Sequence, residues 1–272
     1  EMRVLSLAHV SMGCRWTWTC DGLMKRCPYP CTLHAPHETH HSFAARCLQS
    51  TLLPHKSKVR AVSPTSKMSF YSNLEARYKT VPQDGRIETL TFLEASRVSI
   101  LPLLDILGKN AFAMVRMDVN GNIVKLMNKY NERPDDFHTL TAIVDEELEQ
   151  CTTNDNNSAT DALIWLTRGL NFICIFIQNI LDGKNEGDDI KPCISGAYDI
   201  TLKQHHHWLV KKAVQVAFRA APYHSDLMRI LQGDEESKEV FMSQVRDYHT
   251  LLKDHVTAIQ EIYSARSLNP RP

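Results

Sequence analysis

From Ile87 onward, apolar residues recur every three or four positions, the period of one face of an α-helix. Asp84-Gly85 marks a turn, and Ile87, Leu90, Leu93 and Ile100 predict a helix after it. Pro102 suits the first turn of a new helix through Leu103-Leu104-Asp105-Ile106-Leu107-Gly108. A helix is predicted over 110–130 despite Gly121, which costs about 1 kcal/mol relative to Ala and implies a packing or ligand reason. Arg133-Pro134 opens another, with Phe137, Leu140, Ile143, Val144 and Leu148 on one side. Ser158 ends a polar run and can cap a helix over 159–182, closed by Asp182-Gly183. A long helix over about 193–220 stops at Ala221-Pro222. Shorter and longer helices follow over 223–231 and about 236–265, the last with Phe241, Val245, Tyr248, Leu252, Val256 and Ile259 roughly in phase. No alternating strand pattern persists, so the predicted fold class is all-α.

Residues 1–67 read differently. They show no sustained period of 3.6 or 2, and Pro28, Pro30, Pro36, Pro54 and Pro64 interrupt them. They hold 9 of the 31 Lys and Arg but only 3 of the 31 Asp and Glu, leaving 22 bases against 28 acids, a net of −6, on residues 68–272. The chain opens on Glu1, and Met68 is a plausible start. The expectation is a disordered leader, or translated upstream sequence with no selected fold, before one domain over 68–272, long enough to bury a full core. The leader also holds five of the eight cysteines. Cys14, Cys20, Cys27 and Cys31 with His34, His37, His40 and His41 invite a zinc reading, but the spacing lacks the tight C-x2-C pairs of common zinc modules. Aromatics and cysteines fit a transit peptide poorly, and Val4–Val10 is too short for a signal peptide. No run approaches ~18 consecutive apolar residues, so no membrane span is expected. Cys151, Cys174 and Cys193 read as free thiols of a reducing cytosol.

Candidate chemistry gathers in three segments. Asp118, Asn122 and Lys125 fall at i, i+4 and i+7, one face of a helix. An acceptor, an amide and an ammonium there can bind the hydroxyls and amide of a small polar head group. Trp165 sits among apolar residues at helical spacing, and His206 follows Leu202 by one turn. Taken singly, each has a plainer reading: a solvated helix face, a core tryptophan and a satisfied buried imidazole.

The runs DVNGNIVK, ALIWLTRGLNFI and LKQHHHWLV, followed by RAAPYHSDL, resemble the glycolipid transfer protein family, in the family's order and at similar intervals. The runs NSATDALIWLTRGL and KQHHHWLV look most like the C-terminal transfer module of the four-phosphate adaptor proteins, although no room is expected here for the lipid-binding domain those adaptors carry upstream. The resemblance implies a two-layer sandwich of about eight helices. It implies that Asp118 and Asn122 bond the sphingolipid amide and first sugar, that Lys125 also contacts the sugar, and that Trp165 stacks on it. His206, four residues after Leu202, matches the histidine that bonds the ceramide carbonyl, rather than His205 or His207. Two departures stand out. The family's aromatic near the C-terminus has no counterpart in Ser264–Pro272, and Asp161, one turn before Trp165, takes the adaptor module's acid.

Ceramide carries two chains. Exposing about 30 methylenes to water costs about 24 kcal/mol, so a carrier needs an apolar tunnel. Leu104, Phe112, Phe172, Phe176, Leu202, Val214 and Phe218 are candidates to line it, though an ordinary core would use the same residues. Trp208 beside Lys211 and Lys212 suits transient docking at a membrane surface, which with a domain charge of −6 must be local and mostly apolar.

The expected function is therefore non-enzymatic: binding a glycosphingolipid and moving it between membranes from the cytosol, as a monomer, with no cofactor, metal or nucleic acid. Ceramide-1-phosphate is the alternative ligand. The resemblance assigns its carriers an Arg where Trp165 stands, though Arg168 lies at i+3. A sensor or adaptor that binds without transferring is a further reading. A metalloenzyme using His205, His206 and His207 is disfavoured, because neighbours on a helix point about 100° apart. G-x-S-x-G, HExxH and Gly-rich phosphate loops are absent.

Overall fold

The computed structural model of the chain describes residues 16–18, 24–26, 68–72, 78–153, 155, 157–235 and 237–268. It divides into two units, Glu1–Ala61 and Val62–Pro272. In the first, β1 (Trp16–Trp18) and β2 (Met24–Arg26) pair antiparallel with Trp16 opposite Arg26. The remaining expectations for the leader, including its cysteine and histidine cluster, lie outside the described residues.

The second unit is all-α. Its helices are α1 (Thr89–Gly108), α2 (Ala113–Glu132), α3 (Leu140–Glu149), α4 (Ala159–Leu181), α5 (Lys191–Thr201), α6 (Trp208–Arg219), α7 (His224–Gln232) and α8 (Lys238–Ala265), with a 3-10 turn at Lys203–His205. α4 is central and packs against α2, α3, α5 and α8, while α1 packs on α2 and α6 on α5. By length and composition α4 is apolar enough to cross a membrane, yet its Leu163, Leu166, Leu170, Ile173 and Phe176 are buried inside this fold. Ser158 caps it, its Oγ accepting from the Asp161 N–H at 3.0 Å. Gly183, at φ +68°, ends it as the left-handed residue the turn needs.

Three predicted boundaries move. Pro102 lies inside a single α1 rather than opening a second helix. It sits on the exposed side, where the carbonyl its missing N–H would have bonded can face water. The helix after Arg133-Pro134 starts only at Leu140. The residues before it are held by the start of α1 and the segment leading into it: the Thr89 N–H donates to the His138 carbonyl at 2.8 Å, and the Leu140 N–H to the Ile87 carbonyl at 3.0 Å. Backbone paired across elements in this way cannot also wind into a helix. The long helix over 193–220 is two helices separated at Leu202–His207. His206 is extended there (φ −96°, ψ 135°), and so is His207 (φ −64°, ψ 156°).

Candidate functional site

α2, α4, the α5–α6 junction and α6 enclose a cavity of about 480 Å³. That is within the range of small-molecule sites, about 300–1,000 Å³. α2 contributes Val119, Asp118, Asn122 and Lys125, with Phe112 just before it; α4 contributes Asp161, Trp165, Gly169 and Phe172. Tyr198 of α5, Leu202, His205, His206 and His207 form the junction wall, and Val210, Ala213, Val214, Ala217 and Phe218 of α6 complete it. A second hollow, by Tyr78, Thr91 and His255, is only about 90 Å³.

The polar groups gather on α2, α4 and the junction. Asn122 is buried, and its Nδ2 donates to Asp118 Oδ2 at 3.5 Å. That length is at the limit of a hydrogen bond, so both side chains keep capacity for a ligand. Asp118 opens to solvent through the cavity, yet the protein around it raises its carboxyl above the ordinary range. Partial burial is the main cause; Asp161 adds to it and Lys125 opposes it. Trp165 is half-buried between charged and aromatic neighbours. The Arg168 guanidinium sits over its ring at 4.6 Å, a cation–π contact. His206 lies nearly parallel to the ring, at 6.2 Å between centroids and 15° between planes, and His205 meets it edge-on at 6.3 Å.

His206 Nδ1 is 3.0 Å from the Tyr198 hydroxyl. Burial lowers the His206 imidazole below its ordinary range, and His205, Lys211 and Arg168 push it the same way. It is neutral near pH 7. Burial raises the Tyr198 phenol, aided by Asp199. The apolar wall is aromatic and branched. Phe218 meets Phe112 at 6.4 Å and the Tyr198 ring edge-on at 5.5 Å.

The structure thus brings Asp118, Asn122, Lys125, Trp165 and His206 to one cavity with Phe112, Phe172, Leu202, Val214 and Phe218. Leu104 and Phe176 stand apart. Both are buried in the helical core, and neither lines the cavity. Phe176 lies eleven residues beyond Trp165, about 16 Å along α4, past the cavity's reach. Trp208 is 54% exposed, with Lys212 Nζ 5.1 Å from its ring centroid; Lys211 is half-buried. Gly121 has no packing reason: it is exposed, and an added Cβ would meet open space. The three histidines do not sit on one helix, so the 100° argument does not apply to them; all three line the cavity. Among the described residues no three His, Cys, Asp or Glu side chains come together as a metal site would need. Tyr198 was missed, although Tyr198, Leu202 and His206 recur at intervals of four and all reach the cavity.

A model of the glycolipid transfer protein (GLTP) family matches residues 87–233. The glycolipid transfer protein of Danio rerio is 37% identical over 197 residues, spanning 70% of this chain and 93% of its own. Human pleckstrin homology domain-containing family A member 8 is 34% identical over 208 residues, spanning 74% of this chain and 39% of its own. Among solved structures, the GLTP-fold of FAPP2, described as selecting simple glycosphingolipids, superposes with a TM-score of 0.65 at 33% identity, covering 74% of this chain and 98% of that one. Human ceramide-1-phosphate transfer protein in complex with 12:0 ceramide-1-phosphate shares the fold at a TM-score of 0.65 and 18% identity, covering 75% of this chain and 99% of its own.

Proposed function

The chain belongs to the glycolipid transfer protein family, and from that premise we propose that it is a non-enzymatic carrier that holds a glycosphingolipid in this cavity and moves it between membranes. The observation that carries the reading is one cavity with two chemistries. Asp118, Asn122, Lys125, Asp161, Trp165 and His206 supply its polar groups; Phe112, Phe172, Leu202, Val214 and Phe218 supply its apolar wall. Such a wall replaces the hydrocarbon a chain leaves behind in the bilayer, and so removes most of the cost of passing through water. Asp118 accepts from the lipid amide and a sugar hydroxyl, Asn122 and Lys125 complete the sugar's hydrogen bonds, and Trp165 supports its apolar face. His206 donates to the ceramide carbonyl.

The exposed Trp208, with Lys212 at its ring, supports brief docking at a bilayer surface. The reading places the carrier in the cytosol, as a monomer, over a domain spanning 68–272. Lys125 would attract a phosphate dianion, but Asp118 and Asp161 in the same polar region oppose it and Trp165 offers a sugar a flat face, a balance that favours a neutral sugar over ceramide-1-phosphate.

The test is transfer of fluorescent galactosylceramide from donor to acceptor vesicles. Acceleration well above the protein-free rate is expected. Binding without acceleration would make the protein a sensor, and transfer of ceramide-1-phosphate alone would make it a carrier of the phosphorylated lipid.

A further inference from the structure

We propose that Tyr198 is a positioning residue: its hydroxyl donates to His206 Nδ1 and so fixes the imidazole in the tautomer that carries its proton on Nε2. The inference rests on the carrier reading above, in which His206 meets the lipid.

The geometry is a 3.0 Å contact between two groups that line the same cavity from different elements. Tyr198 is on α5, whereas His206 is in the extended stretch after it. Either atom is able to donate, so chemistry decides. A phenol is a far stronger acid than a neutral imidazole N–H, and an unprotonated imidazole nitrogen is a better acceptor than a phenol oxygen. Among the described residues no other hydrogen-bond partner meets the Tyr198 hydroxyl or His206 Nδ1. The phenol proton therefore goes to Nδ1.

The surroundings hold both groups in the required states. Burial keeps the phenol protonated and the imidazole neutral. His205 beside it, Arg168 of α4 and Lys211 of α6 each resist a positive charge on His206. Asp118 of α2 and Asp161 of α4 line the same cavity and supply the opposing charge. The Tyr198 ring is itself held edge-on against Phe218, so the hydroxyl has a fixed origin.

With Nδ1 occupied as acceptor, Nε2–H is the nitrogen left for a ligand, and it can only donate. The site then requires an acceptor oxygen at that point, which the carbonyl of an N-acylated sphingoid base supplies. A free sphingoid amine, protonated and donating, would face a donor. The proposal thus assigns the discrimination between acylated and deacylated glycolipids to a tyrosine set by the register Tyr198–Leu202–His206.

The experiment uses the full chain and Tyr198→Phe, which keeps the ring and removes the hydroxyl. Two-bond 1H–15N correlations of the imidazoles near pH 7.5 should show His206 of the parent protein as the Nε2–H tautomer, and a mixture in the variant. Galactosylceramide transfer should fall about five- to tenfold, the effect of one hydrogen bond's free energy. Galactosylsphingosine, which lacks the carbonyl, should show no such drop. In a His206→Gln background, where the amide donates without help, Tyr198→Phe should add nothing. A parent His206 protonated on Nδ1 would overturn the proposal, and so would equal losses from Tyr198→Phe with and without His206. If the parent transfers no galactosylceramide, the carrier reading falls, while the NMR spectrum still decides the tautomer.

Discussion

Trp165 on α4 and His206 at the α5–α6 junction lie nearly parallel, with ring centroids 6.2 Å apart and planes 15° apart. Neither element alone makes this arrangement. α4 is a long helix with most of its residues buried, whereas His206 is in extended backbone between a 3-10 turn and α6. The flat surface of one and the hydrogen-bonding edge of the other are thereby brought to one cavity. In the proposed carrier a sugar would rest on the first and an amide carbonyl would meet the second, so the pair would serve two parts of one glycolipid head group.

Trp165→Ala should abolish galactosylceramide transfer and leave most of the helical signal, because the ring is half-buried at a cavity wall rather than inside the core. Trp165→Arg should weaken sugar recognition and admit a phosphate head group. Vesicle transfer and far-ultraviolet circular dichroism check both. Transfer by both variants at the parent rate would reduce Trp165 to a packing residue.

Asp118→Val should cost the most among the polar residues, since the carboxylate is proposed to accept from both the amide and a sugar hydroxyl. A hydrogen bond to a charged group is worth about 1.5–3 kcal/mol, so two lost bonds lower affinity roughly a hundredfold or more. Asn122→Ile and His206→Leu should act in the same direction, and His205→Leu should be mild. Titration with a fluorescent glycolipid ranks the four variants. A larger loss from His205→Leu than from His206→Leu would reassign the amide-binding histidine.

The parts of this site that the sequence made legible are those set by helix period. Asp118, Asn122 and Lys125 share a face because α2 is regular through all three, and Ser158 caps α4 because a polar run meets a long apolar one. The junction was not legible. Leu202–His207 contains no Gly or Pro, and histidine is only a modest helix former, so nothing local marks the change to extended backbone. The same limit applies to the tunnel. Leu104 and Phe176 are as apolar as Phe112 and Phe172, and only the packing of α1 and α4 decides which of them faces empty space. The start of α3 was hidden because pairing with residues 87–89 is a non-local constraint.

Acidification should destabilise the fold. Burial lowers the imidazoles of His206, His249 and His255 below their ordinary range. Their folded-state pKa values lie below the unfolded value of about 6.5, so the unfolded chain takes up protons first and stability falls with pH below that point. Asp118, raised by burial, acts in the opposite sense, since its folded form binds a proton before the unfolded one does. That gain comes only nearer the carboxylate range, after the histidines have titrated. The melting temperature should therefore drop between pH 7.5 and 5.5, and His249→Gln should flatten the profile. An unchanged melting temperature across that range would refute the burial argument.

Removing residues 1–67 should leave fold and transfer intact. The expectation comes from their lack of period and their basic excess, set against an acidic remainder with its own core. A chain beginning at Met68 is the material to compare. Loss of helical signal or of galactosylceramide transfer on that truncation would show that the leader contributes to the carrier.

Glu147→Ala should be among the most damaging changes made outside the cavity. This buried carboxylate of α3 accepts from the Ala159 N–H and the Thr160 N–H, each at 2.8 Å, and from Ser158 Oγ at 2.7 Å. It thus satisfies amides at the start of α4 that have no partner within the helix, at the end where the helix dipole favours negative charge. Ser158 Oγ takes the Asp161 N–H, so the two side chains share the first turn between them. Leaving buried donors without an acceptor costs about 1–3 kcal/mol per group, and water reaching the gap recovers part of it, so a net loss of about 3 kcal/mol is expected. For a domain of this size that lowers the melting temperature by roughly 6–12 °C. Glu147→Gln keeps one acceptor oxygen and should lose about half as much. The same turn carries Asp161, and Trp165 follows one turn later, so glycolipid affinity should fall as the helix start loosens. Thermal melts of both variants, with and without bound galactosylceramide, separate the two effects. An unchanged melting temperature for Glu147→Ala would mean that the start of α4 is held by packing alone.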